Sequence, residues 1–239
     1  MNALPPVAPR TRIKICGLTR EADVDAAVAA GVDAIGLVLY PKSPRHVSIE
    51  RAATLAQRLP PFVTPVLLFV NAPLADIHSA LQQIPNATVQ FHGDETAEAC
   101  LHATGGRRAY LRAARIPLGP DAQRFDLLKY ASSYSTAQAI LLDAHVEGYG
   151  GGGKVFNWSL LPPSVDAHLV LSGGLTAANV GDGIAQVRPR CRTLAVDISS
   201  GVEADGPNGQ TLKGIKDPEK INQFVAAVRA ADQQLAGTQ

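Results

Sequence analysis

Cys16 stands in KICGLTR, directly after a short apolar run and directly before a glycine. A thiol accepts protons only as its thiolate, so a cation or oriented dipoles must oppose its ordinarily alkaline pKa. Lys14 supplies that charge if the run is a strand, because residues i and i+2 then share a face. Asp143 closes another apolar run, AILLDA (139–144). A thiol and a carboxyl on separate strands can divide a proton transfer, one protonated while the other is ionised. Each also has an ordinary explanation: a free cysteine is often a small buried apolar residue, and a strand-terminal aspartate often caps a loop.

Arg45 ends YPKSPR (40–45), a loop stiffened by two prolines, and its planar fork suits a carboxylate. Two glycine-bearing segments, SGGLTAAN (172–179) and ISSGVE (198–203), each follow an apolar run. Backbone N–H groups in such loops, one of them opening a helix, can face an anion. GYGGGGK (148–154) has the spacing of a nucleotide loop, but Val155 occupies the place of the Ser or Thr that must hold Mg²⁺. A lid over a cavity suits that run better. No CxxC or HExxH pattern occurs, and His46, His78, His102, His145 and His168 show no ligand spacing, so no metal is expected.

The elements that position these residues recur along the chain. Apolar runs fall at 12–16, 34–40, 64–70, 88–92, 109–113, 139–144, 168–173 and 193–199. Amphipathic segments with helical spacing lie at 21–31, 49–59, 74–84, 176–187 and 217–232, the last with Asp217 as N-cap and Pro218 at its first position. Eight strands alternating with helices predict a single parallel α/β domain, a closed (β/α)₈ barrel. The GYGGGGKVFNW stretch is not a helix. Strand alternation sends Ile13, Ile15, Val89, Phe91, Leu142, Val196 and Ile198 outward, and Lys14, Cys16, Gln90, His92, Leu141, Asp143, Asp197 and Ser199 inward. The polar set gathers at the C-terminal strand ends, where barrel active sites are built.

Composition sets the outer bounds. Of 239 residues, 46% are hydrophobic, and the charge balance of 22 against 21 leaves +1. No basic block or stacking platform points to nucleic acid, and no apolar run is long enough for a membrane helix. The opening MNALPPVAPR reads as a tail and not as a signal peptide. Three scattered cysteines fit a reducing cytoplasm. The expected layout is a tail over 1–11, a barrel over 12–232 and a second tail over 233–239.

Taken in order, KICGLTR, GLVLYPKSPRHVS, VQFHGDE, LLDA, YGGGGKVFNW, LSGGLTAANV and AVDISSGVE with KDPEKI resemble the phosphoribosylanthranilate isomerase family of tryptophan biosynthesis. The likeness runs from about Arg12 to the final helix. It implies a cofactor-free Amadori rearrangement of N-(5-phosphoribosyl)anthranilate on a (β/α)₈ barrel. By that resemblance Cys16 is the general base, Asp143 the general acid and Arg45 the clamp on the anthranilate carboxylate. Gly173, Gly174, Ser199, Ser200 and Gly201 are the phosphate cradle. A phosphosugar is then the one expected partner, and the chain is expected to be a monomer. The alternative is a related phosphosugar isomerase or phosphate-binding barrel with another substrate. Three features depart from the family pattern: Gly152 and Asn157 in the glycine run, a long connection over 204–214, and the N-terminal tail.

Overall fold

Eight apolar runs become eight parallel strands, and the ladder returns to its start. The computed structural model describes residues 10–144 and 156–237. In chain order these form β1 (Arg12–Cys16), α1 (Glu21–Ala29), β2 (Ala34–Val38), α2 (Ile49–Ala56), β3 (Thr64–Phe69) and α3 (Leu74–Gln83). There follow β4 (Thr88–Phe91), α4 (Ala97–Ala103), β5 (Tyr110–Ile116), α5 (Leu127–Ser133), β6 (Ala139–Ala144), β7 (Val165–Leu171) and α6 (Val180–Val187). The chain ends with β8 (Cys191–Ile198), a hairpin of β9 (Glu203–Asp205) and β10 (Thr211–Lys216), and α7 (Pro218–Gly237). Strands β1 to β8 pair in sequence order, and β1 pairs with β8 to close the barrel.

Alternation along the strands sorts the side chains as expected. Ile13, Ile15, Val89, Phe91, Leu142, Val196 and Ile198 join the continuous apolar layer between strands and helices. Inside the barrel, two small apolar clusters fill the space: Ala113, Ala139, Leu141 and Val170 in one, and Cys16, Val38, Leu68 and Val70 in the other. Removing this much apolar surface from water is the main favourable contribution to the fold.

The structure revises several boundaries. α7 runs to Gly237, so most of the expected tail over 233–239 is helix, while 238 and 239 lie outside the described residues. Asp217 caps it as expected, its Oδ1 accepting the N–H groups of Glu219 at 2.8 Å and Lys220 at 3.2 Å. Thr11 is buried, not part of a loose tail: its N–H and hydroxyl donate to Asp232 at 2.9 and 2.6 Å. The helices α4 and α5 escape the periodicity because each has only seven residues and buries one or two side chains. Helix α6 begins at Val180, four residues later than the spacing implies, after a turn in which Asn179 Oδ1 accepts from Thr176 N–H at 2.8 Å. Among the described residues, the β6–β7 connection carries only the 3₁₀ turn Trp158–Leu160, capped by Asn157 through Ser159 N–H at 3.0 Å. The expected lid over 148–154 lies outside the described residues.

Phe224 on α7 is fully buried in the layer shared by strands and helices. Phe224→Ala should cost ~3–5 kcal/mol of stability, read by urea titration. A loss below about 1 kcal/mol would show that α7 is not an integral wall of the barrel.

Candidate active site

Cys16 is the last residue of β1, and its neighbours come from barrel closure. The β1–β8 ladder sets Lys14 opposite Asp197, and Lys14 Nζ donates to Asp197 Oδ1 at 2.8 Å inside the barrel. Both side chains are about 95% buried, so each needs the other to offset lost hydration. Burial pushes the Cys16 thiol above its ordinary value of 9.0; Asp197 adds to the rise, and Lys14, hydrogen-bonded to the sulfur, pulls against it. Burial also opposes the charge on Lys14, yet Asp197 and Cys16 together lift its pKa above 10.5. Burial thus favours the thiol form of Cys16, and the ammonium of Lys14 opposes it.

Asp143, next to last in β6, faces the same space. Its Oδ2 lies 3.0 Å from His92 Nε2, and His92 Nδ1 lies 3.0 Å from Gln90 Nε2. The ring bridges the Gln90 amide and the Asp143 carboxyl through its two nitrogens. Gln90, His92 and Asp143 thus form one inward-facing chain across β4 and β6, and it fixes the orientation of the carboxyl. The other oxygen, Oδ1, points toward Gly173: a Cβ there would sit 2.8 Å from it.

The expected phosphate cradle is assembled as a unit. Gly173, Gly174, Ser199, Ser200 and Gly201 line one small recess between the β7 and β8 loops. Consecutive left-handed glycines, φ +81° and +65°, turn the chain at Gly173–Gly174. The two loops touch so closely that a Cβ on Gly201 would lie 2.2 Å from the Leu175 carbonyl oxygen. The recess adjoins a cavity of about 350 Å³ at the C-terminal mouth, lined by Cys16, Arg45, His92, Asp143, Asp197 and Ser199 among others.

Arg45 reaches this cavity, and one edge of its fork is held by a carboxylate of the protein itself. Nε and Nη2 donate to the two oxygens of Glu203 at 2.6 and 2.8 Å, leaving the end edge, both Nη1 hydrogens and the second on Nη2, for another acceptor. Glu203 Oε1 also accepts from Gly214 N–H at 2.8 Å and from Lys216 Nζ at 3.3 Å. Burial alone would raise the Glu203 carboxyl, but the Arg45 hydrogen bonds, the Lys216 charge and the Gly214 N–H hold it below 4.5. Among the described residues, no group of three or more His, Cys, Asp or Glu side chains is arranged to hold a metal ion.

Fold and site together define a single-domain (β/α)₈-barrel enzyme with acid–base groups at the C-terminal mouth. The family model for N-(5'-phosphoribosyl)anthranilate (PRA) isomerase matches residues 13–227, and the chain belongs to that family. It is 63% identical over 223 residues to the N-(5'-phosphoribosyl)anthranilate isomerase of Leptothrix cholodnii, covering 93% of each chain. The crystal structure of phosphoribosyl anthranilate isomerase from Thermotoga maritima superposes with a TM-score of 0.76 at 38% identity, over 92% of this chain and 99% of that one. A second structure from that organism, described as mutually generated monomers of a dimeric enzyme, gives 0.71 at 33% with the same coverage. Another phosphoribosyl anthranilate isomerase structure, in complex with reduced 1-(o-carboxyphenylamino)-1-deoxyribulose 5-phosphate, gives 0.70 at 34%, again over 92% and 99%.

Sequence reasoning missed Glu203 and Lys216 as members of the site. Their signal was only the GVE and GIKD letters on either side of a connection read as a long loop. The Gln90–His92–Asp143 chain was half visible: strand parity turned all three inward, but their meeting requires the barrel's curvature.

Gly36 on β2 leaves no room beside this machinery, since a Cβ there would sit 2.6 Å from Cys16 Sγ and 3.0 Å from Lys14 Nζ. Gly36→Ala should lower stability by ~1–3 kcal/mol in a urea titration. An unchanged midpoint would mean that the sulfur and ammonium are free to move aside.

Proposed function

We propose that the chain isomerises N-(5-phosphoribosyl)anthranilate to 1-(2-carboxyphenylamino)-1-deoxyribulose 5-phosphate, with Asp143 as general acid and Cys16 as general base. The observation that carries these roles is that the two side chains come from separate strands, β6 and β1, into one cavity that opens beside a glycine–serine recess. The recess suits the phosphate: backbone N–H groups can hold a dianion without a dedicated cation. That fixes the sugar across the cavity between acid and base.

In the first step Asp143 gives its proton to the ribose ring oxygen, the C1–O bond breaks, and the anilino nitrogen lone pair forms the C=N⁺ iminium. The iminium acidifies the C2 proton, which Cys16 removes from its minor thiolate form, the form that Lys14 supports against burial, and Cys16 leaves the step as the thiol. The released electron pair neutralises the iminium and leaves an enolamine. Proton transfer from the enol oxygen to C1 yields the ketone. The substrate is its own electron sink, so positioned acid and base groups supply the chemistry. Arg45 meets the substrate carboxylate through its Nη1–Nη2 end edge, because Glu203 holds the Nε–Nη2 edge. That carboxylate contact separates this reading from a phosphosugar isomerase whose substrate has no aryl acid.

The test is the decay of substrate fluorescence on adding pure protein. Cys16→Ser and Asp143→Asn should each lower kcat by at least ~10²-fold with KM little changed. Arg45→Ala should act mainly through KM. Near-normal kcat in either of the first two variants would remove the proton-transfer assignment.

Three free thiols and a phosphorylated substrate fit a cytoplasmic setting, and among the described residues no helix is long and apolar enough to cross a membrane. One copy carries every residue named above, so the working state we propose is the monomer. Phe62, fully exposed beside a cavity at the opposite, N-terminal end of the barrel, is the group that would join two copies. Sedimentation should give a mass near 25.1 kDa. Twice that mass, reverting to one on Phe62→Ser, would make the enzyme a dimer through that face.

A further inference from the structure

One buried group of charges lies outside the acid–base chemistry and touches both ends of the site. Glu203 and Lys216 belong to the β9–β10 hairpin, which follows the barrel's last strand, and both side chains are completely buried. Glu203 grips Arg45 by two hydrogen bonds. Lys216 Nζ, 3.3 Å from the same carboxylate, donates to the Ser199 carbonyl at 2.9 Å and lies 3.4 Å from the Ser199 hydroxyl. A continuous chain thus runs from Arg45 through Glu203 and Lys216 to Ser199 in the recess. The hairpin is tied down elsewhere, by Thr19 Oγ1 donating to the Gly214 carbonyl at 2.6 Å and by Lys216 N–H donating to Asp23 at 3.1 Å.

We propose that Glu203 and Lys216 are positioning residues for the isomerisation, setting the separation between Arg45 and the Ser199 loop and with it the placement of the sugar between Asp143 and Cys16. This rests on the reading above, in which those two ends bind carboxylate and phosphate. Stability alone is a weak reason for such a group, because buried ion pairs often contribute no more than apolar residues of the same volume. Geometry gives a better one. A substrate anchored at both ends is held in register only if the two anchors are fixed relative to each other, and small misplacements at a reacting centre are costly in rate. Charge is set by the same group. Within the group of Arg45, Lys216 and Glu203, two cations meet one carboxylate, so Glu203 offsets part of the positive charge that faces the anionic substrate. Removing the negative partner should therefore strengthen ground-state anion binding while loosening the geometry.

The experiment measures kcat, KM and the calorimetric Kd of inorganic phosphate for the whole chain and two variants. Glu203→Gln is expected to lower kcat by about 30-fold or more, with neither KM nor the phosphate Kd raised. Lys216→Met is expected to raise the phosphate Kd by about tenfold, because Ser199 loses the ammonium that holds its loop. A merely structural role would move all three quantities in the unfavourable direction together, with a fall in Tm to match. The proposal is overturned if kcat in Glu203→Gln stays within threefold of the parent, or if KM and phosphate Kd worsen alongside it. It is also overturned if Lys216→Met leaves phosphate binding unchanged. Should Glu203→Gln not fold, the Lys216→Met phosphate titration decides alone; if neither folds, the pair serves stability and the proposal is wrong. Phosphate calorimetry needs no turnover, so a parent chain that fails to isomerise would overturn the proposed reaction while leaving this test readable.

Discussion

The Lys14–Asp197 contact across the closing strands is the interaction on which the site depends. Two ions with almost no exposed surface are tolerable only together, since a lone buried charge costs several kcal/mol. The pair exists only when β1 lies beside β8, in the register that sets the two residues opposite each other. Slipping either strand by one residue would turn its inward set outward. Closure of the barrel and assembly of the Cys16 environment are therefore one event. The thiol inherits its character from that pair, with a cation near enough to support a thiolate and a carboxylate near enough to discourage it.

The same economy of charge runs through the rest of the mouth. Asp143 is held by a chain through His92 and Gln90, and Arg45 by Glu203. Lys216 shares Glu203 and spends its other hydrogen bonds on Ser199. Few charges are left to act at long range. A protein with 22 basic and 21 acidic residues can still present a site suited to an anion carrying both phosphate and carboxylate, because loop N–H groups and a few placed cations suffice. The hairpin over 203–216 brings the balancing carboxylate. What distinguishes this chain's long connection from a bare loop is that its two strands start and end on residues of the site.

Much of this was legible in the sequence. Alternation within RIKIC, TVQF, AILLDA and TLAVDI told inside from outside, and that rule needs only local strand geometry. The order of the glycine loops after the seventh and eighth runs located the recess. Long-range partnerships were less legible. Nothing in GVE announces that Glu203 will take the fork of Arg45, 158 residues earlier. Residue type shows what Arg45 can bind, while the fold decides what is already bound to it. α4 and α5 were hidden by a different cause, because a seven-residue helix with one or two buried side chains has too little periodicity to detect.

The most direct test of the account is the ionisation of Cys16 followed through its neighbours. Alkylation by iodoacetamide, read at the Cys16 peptide by mass spectrometry across pH 6–11, reports the thiolate fraction. For the parent chain the rate should climb about tenfold per pH unit from neutrality and still be rising at the ordinary thiol value of 9.0. Removing the cation in Lys14→Met should move the curve to higher pH, and removing the carboxylate in Asp197→Asn should move it to lower pH. A plateau below pH 8 in the parent, or two variants that shift in the same direction, would contradict the claim that this buried pair sets the proton on Cys16.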